Sequence, residues 1–321
     1  MHETKTLSYT DTESANLSHP CRKGMKNSMK ETPETKKPLG KIAVIGGDLR
    51  QLEAAKAFSI KGYECHVYGL DIVGDSHSFE GVVKANSLSE ALFSAQLVLL
   101  PLPYSRDGIH INAPLSTQKI KISSLFPLLS ARQKIAAGLL GATLPEGFEA
   151  FDYAASESFA IRNARATVEG ALAIAIRETP ITLSGACVLV VGYGKIGKML
   201  AATLRDLGAT VTVLARRASD RTWARAQGLN SEDFATFPTL AANCDMIFNT
   251  VPAIVITGEI LAALPKDAVI IELASPPGGV DLHEAAQLGT HVISALGLPG
   301  KFSPKTAGYS ITDCVSDAFG L

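Results

Sequence analysis

Gly192, Gly194 and Gly197 stand at Gly-x-Gly-x-x-Gly spacing, directly after the apolar run Cys187-Val188-Leu189-Val190-Val191. A helical pattern opens at Lys198-Met199-Leu200 and continues through Leu204 and Leu207. In that setting each glycine has a task. The first permits a tight turn out of the strand, the second lets a pyrophosphate approach the backbone, and the third lets the helix lie close to the sheet. The unpaired N–H groups of the first helical turn, backed by the helix dipole, then attract the phosphates. Tyr193, Lys195 and Ile196 fill the variable positions of this loop. Strand, glycine loop and helix in this order predict a dinucleotide site.

The next strand, Thr210-Val211-Thr212-Val213-Leu214-Ala215, ends in Arg216-Arg217. An acid at that place binds the 2′-hydroxyl of NAD and repels a 2′-phosphate. A guanidinium binds the phosphate with paired hydrogen bonds. The arginines therefore predict NADP(H). Three later strands end in loops rich in Pro and Gly: Asn249-Thr250-Val251-Pro252-Ala253, Ala274-Ser275-Pro276-Pro277-Gly278-Gly279 and Ala295-Leu296-Gly297-Leu298-Pro299-Gly300-Lys301. Stiff, close-approaching loops of this kind belong beside the nicotinamide. Asn249, Thr250, Val251 and Pro252 are read as cofactor contacts, and Ser275, Lys301 and Lys305 as substrate contacts.

A second strand–glycine–helix pattern, Ile42-Ala43-Val44-Ile45-Gly46-Gly47-Asp48-Leu49-Arg50-Gln51, departs from the fingerprint. Asp48 is a good helix N-cap but repels an anion, so the first half is read as Rossmann-like without a dinucleotide. Arg50 and Gln51 follow it in the first helical turn and are substrate-contact candidates. The strand Leu97–Leu100 runs into a loop carrying Tyr104, Ser105, Arg106 and Asp107, with His110 nearby. Ligands in open α/β sheets lie outside the carboxyl ends of the strands. That rule makes Arg106 a further anion-binding candidate. In the segment from Phe151 to Glu178, Glu157, Asn163, Thr167 and Glu169 are the polar positions able to face a cleft.

The elements that position these residues follow from apolar patterning. Strands are expected at Ile42–Ile45, Glu64–Tyr68, around Val82-Val83, at Leu97–Leu100 and at Lys134–Leu139, with short helices at Ser89–Phe93 and Ser123–Leu129. The second half repeats the pattern, and Thr306–Leu321 forms a closing helix. The fold class is α/β: two doubly wound, Rossmann-like domains joined by a bridging helix. The divisions are a disordered tail at 1–40, a substrate domain at 41–158, the bridge and linker at 159–182, the NADP domain at 183–303 and a C-terminal helix at 304–321. The tail is rich in Lys, Glu, Thr and Ser and buries too little apolar surface to offset ordering. The chain has 321 residues, 46% of them hydrophobic, and a net charge of −1, so no basic field suits nucleic acid. No apolar run reaches the roughly 18 residues of a membrane span. Five scattered cysteines without Cys-x-x-Cys, and seven histidines without ligand spacing, indicate reduced thiols in a cytoplasmic protein and no metal site.

Gly46–Gln51, Asn163-Ala164-Arg165-Ala166-Thr167-Val168-Glu169-Gly170, Asn249–Ala253, Glu272–Gly279, Ala295–Lys301 and Pro304-Lys305-Thr306-Ala307-Gly308, in this order, resemble the dipicolinate synthase A-subunit family. The resemblance covers about 41–321. It implies an NADP-dependent enzyme that oxidises a dihydrodipicolinate-type cyclic intermediate of the lysine pathway to pyridine-2,6-dicarboxylate. It also implies a partner, the flavoprotein-like B-subunit of the synthase, and the mother-cell cytoplasm of a spore-forming bacterium. Self-association is left open. Such chemistry needs cations for two carboxylates, with Arg50, Arg106, Lys301 and Lys305 as candidates. It also needs a proton acceptor, with Asp107, His110, Glu169 or water as candidates. Two rival readings share the fold. A D-2-hydroxyacid dehydrogenase would place an Arg after the strand that ends in Ala274-Ser275, and a late catalytic His. A non-catalytic NADP-sensing regulatory subunit would bind cofactor without turnover.

Overall fold

The computed structural model describes residues 38–74, 77–140 and 147–321. The expected disordered tail lies, but for residues 38–40, outside the described residues. Strands β1 (Lys41–Ile45), β2 (Glu64–Tyr68), β3 (Val82–Lys84), β4 (Leu97–Leu99), β5 (Lys134–Ala137) and β6 (Glu149–Asp152) make one sheet in the order β3-β2-β1-β4-β5-β6. Strands β7 (Cys187–Val191), β8 (Thr210–Leu214), β9 (Asn230–Glu232), β10 (Met246–Asn249), β11 (Val269–Glu272) and β12 (His291–Ser294) repeat that order in a second sheet. All pairings are parallel. Both sheets are therefore doubly wound, with a topological switch point between β1 and β4 and another between β7 and β10.

The continuous apolar runs are explained by burial on both faces. Ile42 and Val44 enter one apolar layer and Ala43 and Ile45 the opposite one. Val188 and Val190 are likewise separated from Leu189 and Val191. The helix expected at Ser123–Leu129 is instead one α-turn, Ile122–Leu125, followed by a 3₁₀ turn, Phe126–Leu128. Pro127 lacks the N–H that an α-helix would require there.

The bridging helix is Glu157–Glu178. Ser156 caps it through Phe159 N–H at 3.4 Å, and Thr179, extended before Pro180, ends it. Its first turns pack Phe159 into the core of the first sheet, while Val168, Ala171, Leu172 and Ala175 join the core of the second. The closing helix, Pro304–Phe319, returns to the first sheet, where Ile311, Cys314 and Val315 join its core. There it lies against the helix Leu49–Ile60: a Cβ on Gly308 would come within 2.7 Å of Ala54 N and Arg50 O. Thr312 Oγ1 also donates to Ala54 O at 3.1 Å. Residues 38–321 form one compact unit. Among the described residues no helix is long and apolar enough to cross a membrane.

Candidate dinucleotide and substrate site

The three glycines of the loop after β7 occupy different surroundings. Gly192 has φ +99°, and a Cβ there would run into Thr250 Oγ1 and Val251 Cγ2. A Cβ on Gly197 would meet the Gly192 carbonyl. Gly194 has nothing within 4 Å of its Cβ position. The outer two glycines thus serve packing, and the middle one leaves open space at the start of the helix Lys195–Asp206. That helix has no side-chain cap, so its first N–H groups remain for an anion.

A cavity lies on each side of this loop. The first, about 360 Å³, is walled by Gly194, Lys195, Ile196 and Thr250 from the second sheet. Its other wall is Leu102 from the loop after β4 and Phe159, Asn163 and Ala164 from the bridging helix. The second, about 720 Å³, runs from Gly192 and Tyr193 over Arg216 and Arg217 to Val251, Phe237 and Ile260. Arg216 and Arg217 are exposed at its rim and make no ion pair among the described residues. A dinucleotide needs this arrangement: pyrophosphate over the glycine loop and one nucleoside on either side. The residues present therefore fit a nicotinamide dinucleotide, with the adenosine half in the larger cavity and the nicotinamide half in the cleft.

Asn249, expected against the cofactor, is fully buried. Register places it opposite Glu272 on the neighbouring strand. Its Nδ2 donates to both Glu272 carboxylate oxygens at 2.9 Å and to Val251 O at 3.0 Å, and its Oδ1 accepts from Val251 N at 3.1 Å. Asn249 therefore shapes the loop that carries Thr250, Val251 and Pro252 and offers nothing to a ligand. Glu272, buried, accepts in addition from Ala274 N and Gly279 N, each at 2.8 Å. One carboxylate thus sets both loops at the strand ends. Pro252 and Ser275 are exposed on these loops, and neither is among the residues lining the two cavities.

In the first sheet the glycine motif is closed. Asp48 caps its helix and accepts from Arg50 N and Nε at 2.9 Å and Arg50 Nη2 at 2.8 Å. A Cβ on Gly300 would sit 2.7 Å from Asp48 Oδ2, so the short helix Leu298–Phe302 covers the place of a phosphate. Gly47 N donates to Asn112 O at 2.9 Å, which covers the other side. Asp48→Asn is expected to leave nicotinamide dinucleotide affinity within about twofold, well under the ~1.4 kcal/mol of a tenfold change. Isothermal titration checks it, and a large loss would place a dinucleotide on the first sheet.

Two substrate candidates are thereby corrected. Gln51 is fully buried. Its Oε1 accepts from Asp48 N at 3.1 Å and its Nε2 faces Tyr153 Oη at 3.5 Å, so it completes a capping box. Arg50 is buried and pinned by Asp48, and its Nη2 donates to Leu102 O at 2.8 Å. Burial works against its charge, yet the Asp48 hydrogen bonds and charge hold its pKa above the ordinary value. Arg50 positions the cleft wall at Leu102.

Arg106 is exposed, with Nε donating to Asn112 Oδ1 at 3.3 Å. Asp107 and His110 form a pair on the same excursion, Oδ2 to Nδ1 at 2.8 Å. Asp107 Oδ1 accepts from Ile109 N at 2.9 Å and His110 N at 2.8 Å. The His110 ring bond and these N–H groups hold the Asp107 carboxyl well below the usual carboxylate range. Glu169 is exposed on the far side of the bridging helix, in a groove with Met199 and Leu207, away from the cleft. Lys301 and Lys305 are exposed on the helices that cover Asp48 and begin the return to the first sheet, and neither lines the cleft. Burial pushes the Cys65 and Cys244 thiols up to about 12, with neighbouring charges adding to it.

Sequence reasoning missed Leu102, Ala154, Phe159, Ala160 and Ala164 as cleft-lining residues. The signal was present in part: Phe159, Ala160, Asn163 and Ala164 fall on one face of a helix. It also missed the ion pair from Lys195 Nζ to Glu157 Oε2, 2.9 Å, between the glycine loop and the first turn of the bridge.

Comparison with known proteins gives two family matches along the chain. Residues 41–154 match the N-terminal domain of the dipicolinate synthase A-subunit, and 161–277 match the NAD-binding domain of D-isomer specific 2-hydroxyacid dehydrogenases. The dipicolinate synthase A-subunit of Bacillus subtilis (strain 168) is 30% identical over 283 residues, 86% of this chain and 94% of that protein. The crystal structure of the dipicolinate synthase A-subunit from Bacillus halodurans superposes with a TM-score of 0.78 at 27% identity, covering 88% of this chain and 98% of that one. The corresponding Bacillus subtilis crystal structure gives 0.74 at 29% identity, covering 87% and 95%. With two doubly wound sheets, one of them bearing a dehydrogenase-type nicotinamide-nucleotide site, the chain belongs to the dipicolinate synthase A-subunit family.

Proposed function

We propose that this chain oxidises a dihydrodipicolinate-type cyclic intermediate of the lysine pathway to pyridine-2,6-dicarboxylate, with NADP⁺ as oxidant. The observation that carries the reading is the pair of cavities lined by the glycine loop, one by Gly194 to Ile196 and one by Gly192 and Tyr193, the first also walled by Leu102 of the other domain. The names of the relatives support the product. NADP⁺, when bound, supplies the hydride acceptor. The chain's own residues do the rest. Gly194 and the uncapped helix start hold the pyrophosphate, and Arg216 and Arg217 hold the 2′-phosphate. Leu102, Phe159, Ala160 and Ala164 make an apolar wall that keeps water from the reacting ring. Arg106, on the loop that carries Leu102 but outside the cavity lining, is assigned to a substrate carboxylate. His110, also outside the lining, is assigned the proton at Nε2, because Nδ1 is held by Asp107. The gain of an aromatic ring favours the step, so the site mainly positions the reactants.

The test is turnover: purified chain, NADP⁺ and the freshly formed cyclic intermediate should yield NADPH and pyridine-2,6-dicarboxylate in equal amounts. Absence of both, with the chain alone and with its partner present, overturns the reading. Cofactor choice is tested separately. NADPH should bind at least about tenfold tighter than NADH, equivalent to ~1.4 kcal/mol. The Arg216→Ala/Arg217→Ala variant should lose most of that preference in titrations of both cofactors. The relatives' names describe one component of a larger synthase. That supports a second subunit as working partner, which we take to be the flavoprotein-like B-subunit in the cytoplasm of a spore-forming cell.

A further inference from the structure

Of the described residues that line the cleft, Lys195 alone carries a charge. It is also a cation in an unfavourable place. Lys195 is the first residue of the helix Lys195–Asp206, whose first turn holds no acid. A positive charge there opposes the helix dipole, and a nearby anion offsets that cost. The chain supplies one, since Lys195 Nζ meets Glu157 Oε2 at 2.9 Å. The two side chains are 44% and 72% exposed, and a pair so open to water contributes little. Glu157 does not depend on it: as the first residue of the bridging helix it is favoured by that helix's own dipole. Lys195 is thus held beside the cleft by a weak tie, which another anion can replace at little cost. Lys198, one turn on, is directed elsewhere, with Nζ 5.5 Å from the centre of the Tyr193 ring.

In the proposed reaction two kinds of anion come to this cleft, the pyrophosphate of the cofactor and the carboxylates of the substrate. The direction of the side chain separates them. The Lys195 backbone lies in the glycine loop, but its Nζ reaches the first turn of the bridging helix. Ala154, Phe159 and Ala160, around that turn, line the same cleft. The charge is therefore delivered at the bridge end, while backbone N–H groups serve the pyrophosphate at the loop. The substrate also has the greater need. Of the four cations that the sequence offers for two carboxylates, Arg50 is committed to Asp48, and Arg106, Lys301 and Lys305 lie outside the lining. We propose that Lys195 anchors one carboxylate of the substrate, exchanging Glu157 for it. The inference rests on the dicarboxylate reading of the substrate. It gives the glycine loop two tasks at once: its backbone holds the cofactor and its side chain the substrate, which fixes the two reactants relative to each other.

The test is a binding experiment in which the two members of the ion pair give opposite signs. Dissociation constants are measured by isothermal titration for NADPH, and for pyridine-2,6-dicarboxylate with the chain saturated in NADPH. Lys195→Met should weaken the dicarboxylate about tenfold. Glu157→Gln, which frees the lysine, should tighten it about twofold to fourfold. Lys195→Arg keeps the charge and should retain most of the affinity. NADPH binding should change by less than about twofold in all three variants. A purely structural ion pair would be lost equally in Lys195→Met and Glu157→Gln and would move the dicarboxylate constant the same way in both, which overturns the proposal. A loss of NADPH affinity in Lys195→Met as large as the loss for the dicarboxylate assigns the lysine to the pyrophosphate, and overturns it too. Failure of the native chain to bind the dicarboxylate, with NADPH bound normally, overturns the substrate reading itself and is seen before any variant is made.

Discussion

Gly194→Val should abolish nicotinamide dinucleotide binding while leaving the melting temperature of the protein unchanged. The two halves of that expectation have separate causes. Gly194 has φ −76° and ψ −165°, extended backbone that valine adopts without strain. A side chain there meets no protein atom within 4 Å of the Cβ position. The fold therefore tolerates it. The space it enters is the one a pyrophosphate must occupy, directly over the uncapped helix start. A loss of at least about a hundredfold in affinity, ~2.7 kcal/mol, is expected by titration. Gly197→Ala provides the contrast, since its methyl would be driven against the Gly192 carbonyl and the helix would have to move off the sheet. That variant should melt lower. Unchanged affinity in Gly194→Val would place the dinucleotide away from this loop.

Glu272→Ala should be the most destabilising single substitution at the strand ends, by about 3–5 kcal/mol in urea unfolding, because it strands several buried donors at once. No cation pairs with this carboxylate among the described residues, and it is held by N–H donors alone. Removing it leaves Ala274 N, Gly279 N and part of the Asn249 amide without acceptors in a buried setting. Glu272→Gln is nearly isosteric, yet turns an NH₂ toward N–H groups that need an acceptor. It should cost about 1–3 kcal/mol. Asn249→Ala and Glu272→Ala should be less than additive in combination, since they remove parts of one network. Cofactor affinity should fall with stability, because this network aligns the loop carrying Thr250 and Val251. A Glu272→Ala protein with native unfolding free energy would show that the network contributes nothing net.

The cofactor half of the site was legible in the sequence because its parts are contiguous. An apolar run, three glycines and a helix occur within one short segment, and the arginine pair follows at the end of the next strand. The spoiled motif at Asp48 was legible for the same reason. What failed was any assignment that depends on a remote partner. Arg50 and Gln51 read as substrate contacts of a first helical turn, but Leu102 and Tyr153 arrive from elsewhere in the chain and engage them in the interior. Asn249 read as a cofactor contact because it ends a strand. Its burial is decided by Glu272, which parallel pairing sets opposite it. The strands β6 and β9 have polar sequences, Glu-Ala-Phe-Asp and Asn-Ser-Glu, and carry no buried apolar run. They are edge strands, held on one side only, and a hydrophobic pattern is not what forms them. Asn163 was visible as a polar position on the bridge.

The return of the helix Pro304–Phe319 to the first sheet has a consequence for the order in which the molecule can be finished. Synthesis produces the first sheet early and this helix late, with the whole cofactor domain made between them. Until the helix emerges, the faces of Phe58, Val67 and Leu70 that belong to the same core as Ile311 and Val315 lack part of their cover. The domain made first is thus the one completed last, and it closes only after the cofactor sheet has been synthesised. A chain growing from its N-terminus would carry an unfinished apolar surface through most of its translation, a state in which domains generally rely on chaperones or on rapid local folding. The Gly308 contact with Ala54 and Arg50 is the seam where that delay ends.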